Sequence, residues 1–441
     1  MSLLVRNGLI LTMNDRLDVV PGDVSIRGGR IAAVGVHLPG EHDRTIDARG
    51  GYVLPGFIQT HIHLCQTLFR GYADDLRLMA WLRTRVWPME AAHTPATLRA
   101  AARLATTELL SSGTTTVLTM ETVHDTDAVF EAVAESGMRA TIGKCMMDVA
   151  GDDDVPRRLR ESTQASIDES LAMRRRWHHT ANDRLRAAFA PRFAVSCSRE
   201  LLEAVAALSG EHDALVHTHA SESQDEQVIV RERSGGLTNL QYLERLHLAS
   251  PRLCAAHCVW VDEGEQALLA EHDVKVLHCP SSNLKLGSGV ASVVEMRARG
   301  ITVSLGADGA ACNNRLDMFE EMRLAALLQA MRLHPGALPA RDALWMATRA
   351  GARTLGLARD IGSIEAGKRA DLIVVDRDRL HLAPGPDPYS TLVYAARGSD
   401  VRTTVVDGEV LVDECRPTRV DRAEVVAEAR AAARQLAAAI S

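Results

Sequence analysis

Aromatic residues are scarce in this 441-residue chain, where Phe, Tyr and Trp together make up 4%. Proteins that stack single-stranded nucleic acid need such side chains along a basic groove. Positive charge is also short: 50 Lys and Arg stand against 57 Asp and Glu, a net charge of -7. The two shortages together exclude a nucleic-acid surface. No apolar run approaches the roughly 20 residues that cross a bilayer, so no membrane partner is expected. The start, Met1-Ser2-Leu3-Leu4-Val5-Arg6-Asn7-Gly8, lacks a secretory pattern. The 8 cysteines form no Cys-x-x-Cys pair. They read as reduced thiols, and a cytoplasmic location is expected. The remainder, 46% hydrophobic and 24% charged, is ordinary globular composition. Its length suits one large α/β domain with a small companion.

Both ends of the chain are β-rich. Leu9–Thr12, Asp23–Ile26 and Arg30–Val34 read as short strands near the start. The same texture returns in Ala370–Asp376, Arg402–Val406 and Glu409–Val412, the last two joined by Asp407-Gly408. Residues 1–54 and 360–420 are therefore expected to build one small β-sandwich domain. Between them, eight strand candidates alternate with helical patterns: Tyr52–His63, Thr114–Met120, Arg139–Met146, Leu185–Pro191, Ala214–His219, Leu253–His257, Val274–His278 and Thr302–Asp308. Thr94 and Pro95 open one helix, and Gly113, Gly137 and Gly300 close three. Eight such units in residues 55–359 predict an α/β fold, a distorted (β/α)8 TIM barrel. Residues 421–441 are expected to form a terminal helix.

A barrel of this kind gathers its reactive groups at the C-terminal ends of its strands. His61 and His63 stand there on the first strand, and a spacing of two points both to one side. His217 and His219 end the fifth, His257 the sixth and His278 the seventh, and Asp308 follows the eighth. A random scatter of 17 histidines would seldom do this. Imidazole and carboxylate bind zinc and similar ions. A bound ion makes ionised water available at neutral pH, and a nearby carboxylic acid such as Glu222 can protonate a leaving amine. His217 faces the same side as His219 and is an alternative ligand.

These segments resemble the amidohydrolase superfamily, in its aminohydrolase (deaminase and chlorohydrolase) branch. The resemblance rests on Pro55-Gly56 through His63, His219 with Glu222, Ala256-His257-Cys258, His278 through Gly287, Gly306-Ala307-Asp308-Gly309 and Gly362 through Leu372. It implies His61, His63, His219 and Asp308 as ligands. His257 would bind the metal or hold its water. Glu222, His278 and Asp308 would be the catalytic groups. Binuclear relatives carry a lysine on the fourth strand, which Leu185–Pro191 lacks. One divalent ion is thus expected: zinc, with iron or manganese as alternatives.

For substrate, Leu64–Leu76 and Trp87-Pro88-Met89-Glu90 are similar to S-adenosylhomocysteine, methylthioadenosine and 5′-deoxyadenosine deaminases. There the carboxylate at the position of Glu90 binds ribose hydroxyls. Lys144 and Arg157 are at or near the positions of two arginines that bind the homocysteine carboxylate. Gln66 and Pro191-Arg192-Phe193 instead resemble guanine deaminase, where they contact the base. The expected function is hydrolytic deamination of an adenosine-type nucleoside. Alternatives are a guanine, oxo-purine or pterin deaminase, a triazine hydrolase, and a nucleoside-binding barrel without turnover. The expected partners are a small heterocyclic substrate and a second copy of the chain, as dimer or tetramer.

Overall fold

The computed structural model describes residues 2–149 and 155–440. Eight strands form a parallel sheet: β1 (Phe57–Ile62), β2 (Thr114–Met120), β3 (Arg139–Met146), β4 (Leu185–Pro191), β5 (Val216–Ala220), β6 (Leu253–His257), β7 (Lys275–His278) and β8 (Val303–Leu305). They lie in chain order, each laddered to the next. The helices between them cover the outside, as in a (β/α)8 barrel. The seam between β8 and β1 is held by other bonds. Thr60 Oγ1 donates to Leu305 O at 3.0 Å, and Asp308 N donates to His61 O at 3.0 Å. A Cβ at Gly306 would lie 2.5 Å from His61 O, so only glycine lets the last strand approach this closely.

The first predicted strand is in fact two. Tyr52–Pro55 pairs antiparallel with Leu372–Val375 in a second sheet, whereas β1 belongs to the barrel. Gly56 is the crossing point, its N–H donating to Asp371 O at 3.1 Å. Apolar alternation is the same in both sheets, so periodicity does not reveal the switch.

The second sheet is mixed and draws on both chain ends. Its early strands are Ser2–Leu11, Val19–Arg27, Arg30–Gly35, Arg44–Asp47 and Tyr52–Pro55. Its late ones are Leu372–Val375, Val401–Val406, Glu409–Asp413 and Arg416–Pro417. Ser2–Leu11 shifts register between Val5 and Gly8. Its first half pairs with Arg44–Asp47 and its second with Tyr52–Pro55. Val5, Ile26 and Ile46 then meet Leu372, Val374 and Val405 in one core.

Helix signals read from sequence appear with their capping chemistry. Thr94 Oγ1 accepts from Thr97 N at 3.3 Å, and Thr97 Oγ1 accepts from Thr94 N at 2.9 Å, which opens the helix Pro95–Ser111. The terminal helix Arg422–Ile440 folds back onto that helix. Its Ala429, Ala432 and Leu436 join a core with Phe69 and Trp87, and Glu428 pairs with Arg103 at 2.5 Å. Among the described residues, no helix is long and apolar enough to cross a membrane.

One buried ion pair ties the two sheets together. Arg139, the first residue of β3, donates to Asp371 through Nε at 2.8 Å and Nη2 at 3.2 Å. Both side chains are 3% exposed. Asp371 also accepts from Asp407 N at 2.7 Å. Removing Asp371 leaves Arg139 facing only the more distant Asp407, 3.8 Å from Nη2, at a cost of up to about 3–5 kcal/mol. Asp371→Ala should therefore lower unfolding stability by about that amount in urea titration. The strand-end histidines lie at the opposite end of the strands, so the metal binding expected of them should persist in the folded variant.

Candidate active site and metal centre

The strand ends bring four imidazoles to one point. His61 sits in β1 and His63 just beyond it, His219 in β5, and His257 ends β6. Each has one ring nitrogen anchored away from the centre. His63 Nδ1 donates to Met120 O at 2.7 Å, and His219 Nδ1 to Arg192 O at 2.6 Å. His257 Nδ1 donates to Asn283 Oδ1 at 2.9 Å, and His61 Nδ1 lies 2.6 Å from His217 Nε2. The bonds to oxygen fix the tautomers of His63, His219 and His257, and all four Nε2 atoms turn inward.

The inward atoms crowd together with no other partner to explain them. Asp308 Oδ1 lies 3.3 Å from Nε2 of both His61 and His63. His219 Nε2 is 3.3 Å from His63 Nε2. Nε2 of His61 and of His257 are buried without hydrogen-bond partners. Buried polar atoms are rarely left so. His61, His63 and His219, and His61, His257 and Asp308, each place ligand atoms within 4.8 Å of one another. The residues fit one divalent ion, with nitrogen and oxygen donors.

The ionisation of His61, His219 and Asp308 agrees with that fit, and His63 is the exception. Burial depresses the pKa of His61 to about 4, and that of His219 falls well below the usual value for the same reason. Burial pushes Asp308 upward, but the adjacent His61 and His63 outweigh it and hold its carboxyl well below the usual range. His63 is raised, because Asp308 outweighs the effect of burial. Neutral imidazole and ionised carboxylate are the forms that bind metal.

The backbone turns sharply to aim two of these groups. His257 has φ +72° and Asp308 φ +63°, conformations that cost non-glycine residues about 1–3 kcal/mol. Asp308 is held further by Gly309 N and Ser282 Oγ, both donating at 2.7 Å.

Glu222 faces the same point from the loop after β5. Its Oε2 is 3.4 Å from His257 Nε2, and Ser288 Oγ donates to Oε1 at 3.4 Å. Its backbone N–H donates to Glu226 Oε2 at 2.7 Å. Burial raises its carboxyl to about 7. His278 is buried with both ring nitrogens unpartnered, and burial depresses its pKa to about 3. It is a neutral imidazole, able to bond to water.

A cavity opens over this centre. His63, His219, Glu222 and Asp308 form its polar floor, and Leu78, Trp81, Leu82, Phe193 and Leu286 its apolar wall. Gln66 and Arg192 complete the lining. Leu78 and Leu82 were not singled out from sequence as ligand contacts; their spacing of four along a helix was the available signal.

The remaining sequence candidates lie elsewhere. Trp87 is buried in the core behind the cavity, 2% exposed. Glu90 is buried against Arg192. Lys144 pairs with Glu161 at 2.5 Å, its side chain 1% exposed. Arg157 stands on the exposed turn Arg157–Leu159. His217 supports His61 rather than reaching the centre. Two buried carboxylates escaped the sequence reading as loop clamps. Glu121 accepts from Leu64 N and Cys65 N at 3.2 and 2.9 Å. Glu321 accepts from Ser281 Oγ at 2.6 Å and Asn313 Nδ2 at 2.8 Å.

Comparison with known proteins is consistent across sequence and structure. The sequence model of the amidohydrolase family matches residues 52–411. A 5′-deoxyadenosine deaminase of Methanothermobacter thermautotrophicus is 44% identical, over 94% of this chain and 95% of its own. A 5-methylthioadenosine/S-adenosylhomocysteine deaminase of Pelotomaculum thermopropionicum is 39% identical over 99% of each. The crystal structure of an adenosine deaminase from Xanthomonas campestris, with bound zinc, superposes with a TM-score of 0.93 at 32% identity. That match covers 99% of this chain and 98% of the other. The barrel, the convergent imidazoles and these likenesses place the chain in the amidohydrolase family.

Proposed function

We propose that this protein is a hydrolytic deaminase of adenosine-type nucleosides whose 5′ substituent is small and uncharged, such as 5′-deoxyadenosine or methylthioadenosine. The observation that carries the reading is Glu222. It is buried, sits beside His257, and lines a cavity floored by His63, His219 and Asp308. The reaction adds water at C6 and breaks the bond from C6 to the amino nitrogen. The products are the 6-oxo nucleoside and ammonia.

The metal, zinc in this reading, would be held by His61, His63, His219 and Asp308, and when bound would supply ionised water at neutral pH. Asp308 and His278 would orient the attacking water and take its proton. Glu222 passes a proton to the ring nitrogen and then to the departing amine, the task of a carboxyl poised near neutrality. The aliphatic and aromatic wall excludes solvent from the purine.

The 5′ preference follows from the cations. Lys144 is committed to Glu161, Arg157 is exposed, and neither borders the cavity. Arg192 does border it, but its charge is balanced by Glu90. Among the described residues that line the cavity, the one cation, Arg192, is thus already paired and not free for an amino-acid carboxylate on the 5′ side. The guanine reading has one observation in its favour, that Gln66, Arg192 and Phe193 all line the cavity.

Two outcomes are expected of the zinc-loaded enzyme. In an ammonia-release panel, kcat/KM should be highest for 5′-deoxyadenosine and methylthioadenosine, and about 10–100-fold lower for S-adenosylhomocysteine, whose charged group stays unpaired. Guanine turned over faster than every nucleoside would reverse the assignment. Glu222→Gln should lower kcat by about 10²–10⁴ while metal content stays unchanged. A variant that keeps more than a tenth of wild-type kcat would remove Glu222 from the proton path.

A further inference from the structure

The cavity over the convergent histidines is closed. Only about 20 Å³ of it is free space, room for about one water molecule, where small-molecule pockets hold roughly 300–1,000 Å³. Its lining residues, His219 apart, are each at most 6% exposed. A purine nucleoside cannot pass such walls, so one wall must move for a substrate to enter. The floor is fixed by the bonds that pin its imidazoles. The wall made by Leu78, Trp81 and Leu82 is not fixed in that way.

The chain reaches that wall through the loop of residues 71–77. Main-chain bonds at its two ends stay local: Tyr72 N donates to Phe69 O at 2.9 Å and Trp81 N to Arg77 O at 2.8 Å. Gly71 has φ +79° and open space where a side chain would stand, so the chain can turn there at little cost. At the far end the helix passes through a π turn, Leu82–Val86, where Trp87 N–H reaches back five residues to Leu82 O. Such turns are rare and recur at functional sites. Beyond it, Trp87 and Met89 are fixed in the core.

One ammonium ties this segment to the opposite side of the cavity. Lys285 ends the helix Pro280–Lys285 after β7. It donates to Asp74 Oδ1 in the loop, to Asn314 Oδ1, and to Ala311 O at 3.2 Å. Ala311 and Asn314 belong to the loop after β8, so three loops meet on one side chain. The hydrogen bond from Lys285 lowers the pKa of Asp74, which is therefore ionised at neutral pH. Asp74 precedes Leu78 by four residues, and Leu286, which follows Lys285, lines the cavity. We propose that residues 71–86 are a lid over the active site and that Lys285 is its latch. The structure is the latched form. Substrate enters and product leaves when the Asp74–Lys285 bond breaks and the segment turns about Gly71 and the π turn. This holds whichever heterocycle the site takes.

Hydrogen–deuterium exchange on the zinc-loaded, ligand-free enzyme reads the lid directly. Lys285→Met should speed exchange across residues 71–86 by about fivefold, the ceiling for a partly exposed ion pair, and leave the helix Pro95–Ser111 unchanged. Asp74→Ala, on the exposed loop, should match it, and the double variant should add nothing further. A latch present in both free and bound forms slows entry and exit alike. In the zinc-loaded Glu222→Gln background, Lys285→Met should therefore raise the association and dissociation rates of 5′-deoxyadenosine about fivefold each, with Kd unchanged. Unchanged exchange in both single variants would overturn the inference. So would acceleration that spreads equally to Pro95–Ser111 in both, since Lys285 would then be a structural tie only. Faster dissociation with weaker Kd and no change in association would also overturn it, by making Lys285 part of the binding surface. A protein that binds no 5′-deoxyadenosine would count against the proposed function, and the exchange experiment, which needs no substrate, would still decide the lid.

Discussion

An imidazole ring free to rotate or to change tautomer makes a poor ligand, so the site depends on the bonds that pin the outer nitrogens. His63 is pinned by Met120 O at the end of β2, and His219 by Arg192 O just past β4. His257 is pinned by Asn283 in the helix that follows β7. Each inward-facing imidazole thus leans on a neighbouring strand or loop, and the barrel's closed order supplies those neighbours. The same logic explains why Asp308 is held from two sides and why Gly306 must have no side chain.

A second layer of buried carboxylates carries this order into the loops. Glu121 gathers the backbone after His63, Glu226 holds the backbone of Glu222, and Glu321 joins the loops after β7 and β8. Burial raises the pKa of Glu121 to about 7 and of Glu321 to about 8. Their value is geometric, because each satisfies donors that would otherwise be buried unpaired. Arg192 serves both layers, since its carbonyl orients His219 while its guanidinium rests on Glu90 at the cavity wall.

Most barrel strands were legible because each is a short apolar run bounded by turn residues. β2, β3, β4 and β6 span the same residues in the sequence reading and in the structure. The convergence of the strand-end histidines and Asp308 was legible for a different reason, the rule that function collects at strand ends. Pairings across long sequence distances were not legible. Arg192 and Glu90 are 102 residues apart, and nothing local to either shows that they neutralise each other. Lys144 with Glu161 is a similar case across a loop. His217 and His219 share a face in any strand pattern, so alternation could not rank them. Depth in the barrel does, since His217 reaches only the far nitrogen of His61. The early strands Ser2–Leu11 and Arg44–Asp47 were understated because the first carries Arg6-Asn7-Gly8 and the second is only four residues long.

The central claim is that the pinned imidazoles and Asp308 make a single metal centre of nitrogen and oxygen donors. X-ray absorption at the zinc edge of the holoenzyme tests it most directly. The account predicts one zinc per chain with nitrogen and oxygen neighbours at about 2.0–2.2 Å. Sulfur at about 2.3 Å, or a second metal at about 3.5–4 Å, would contradict it.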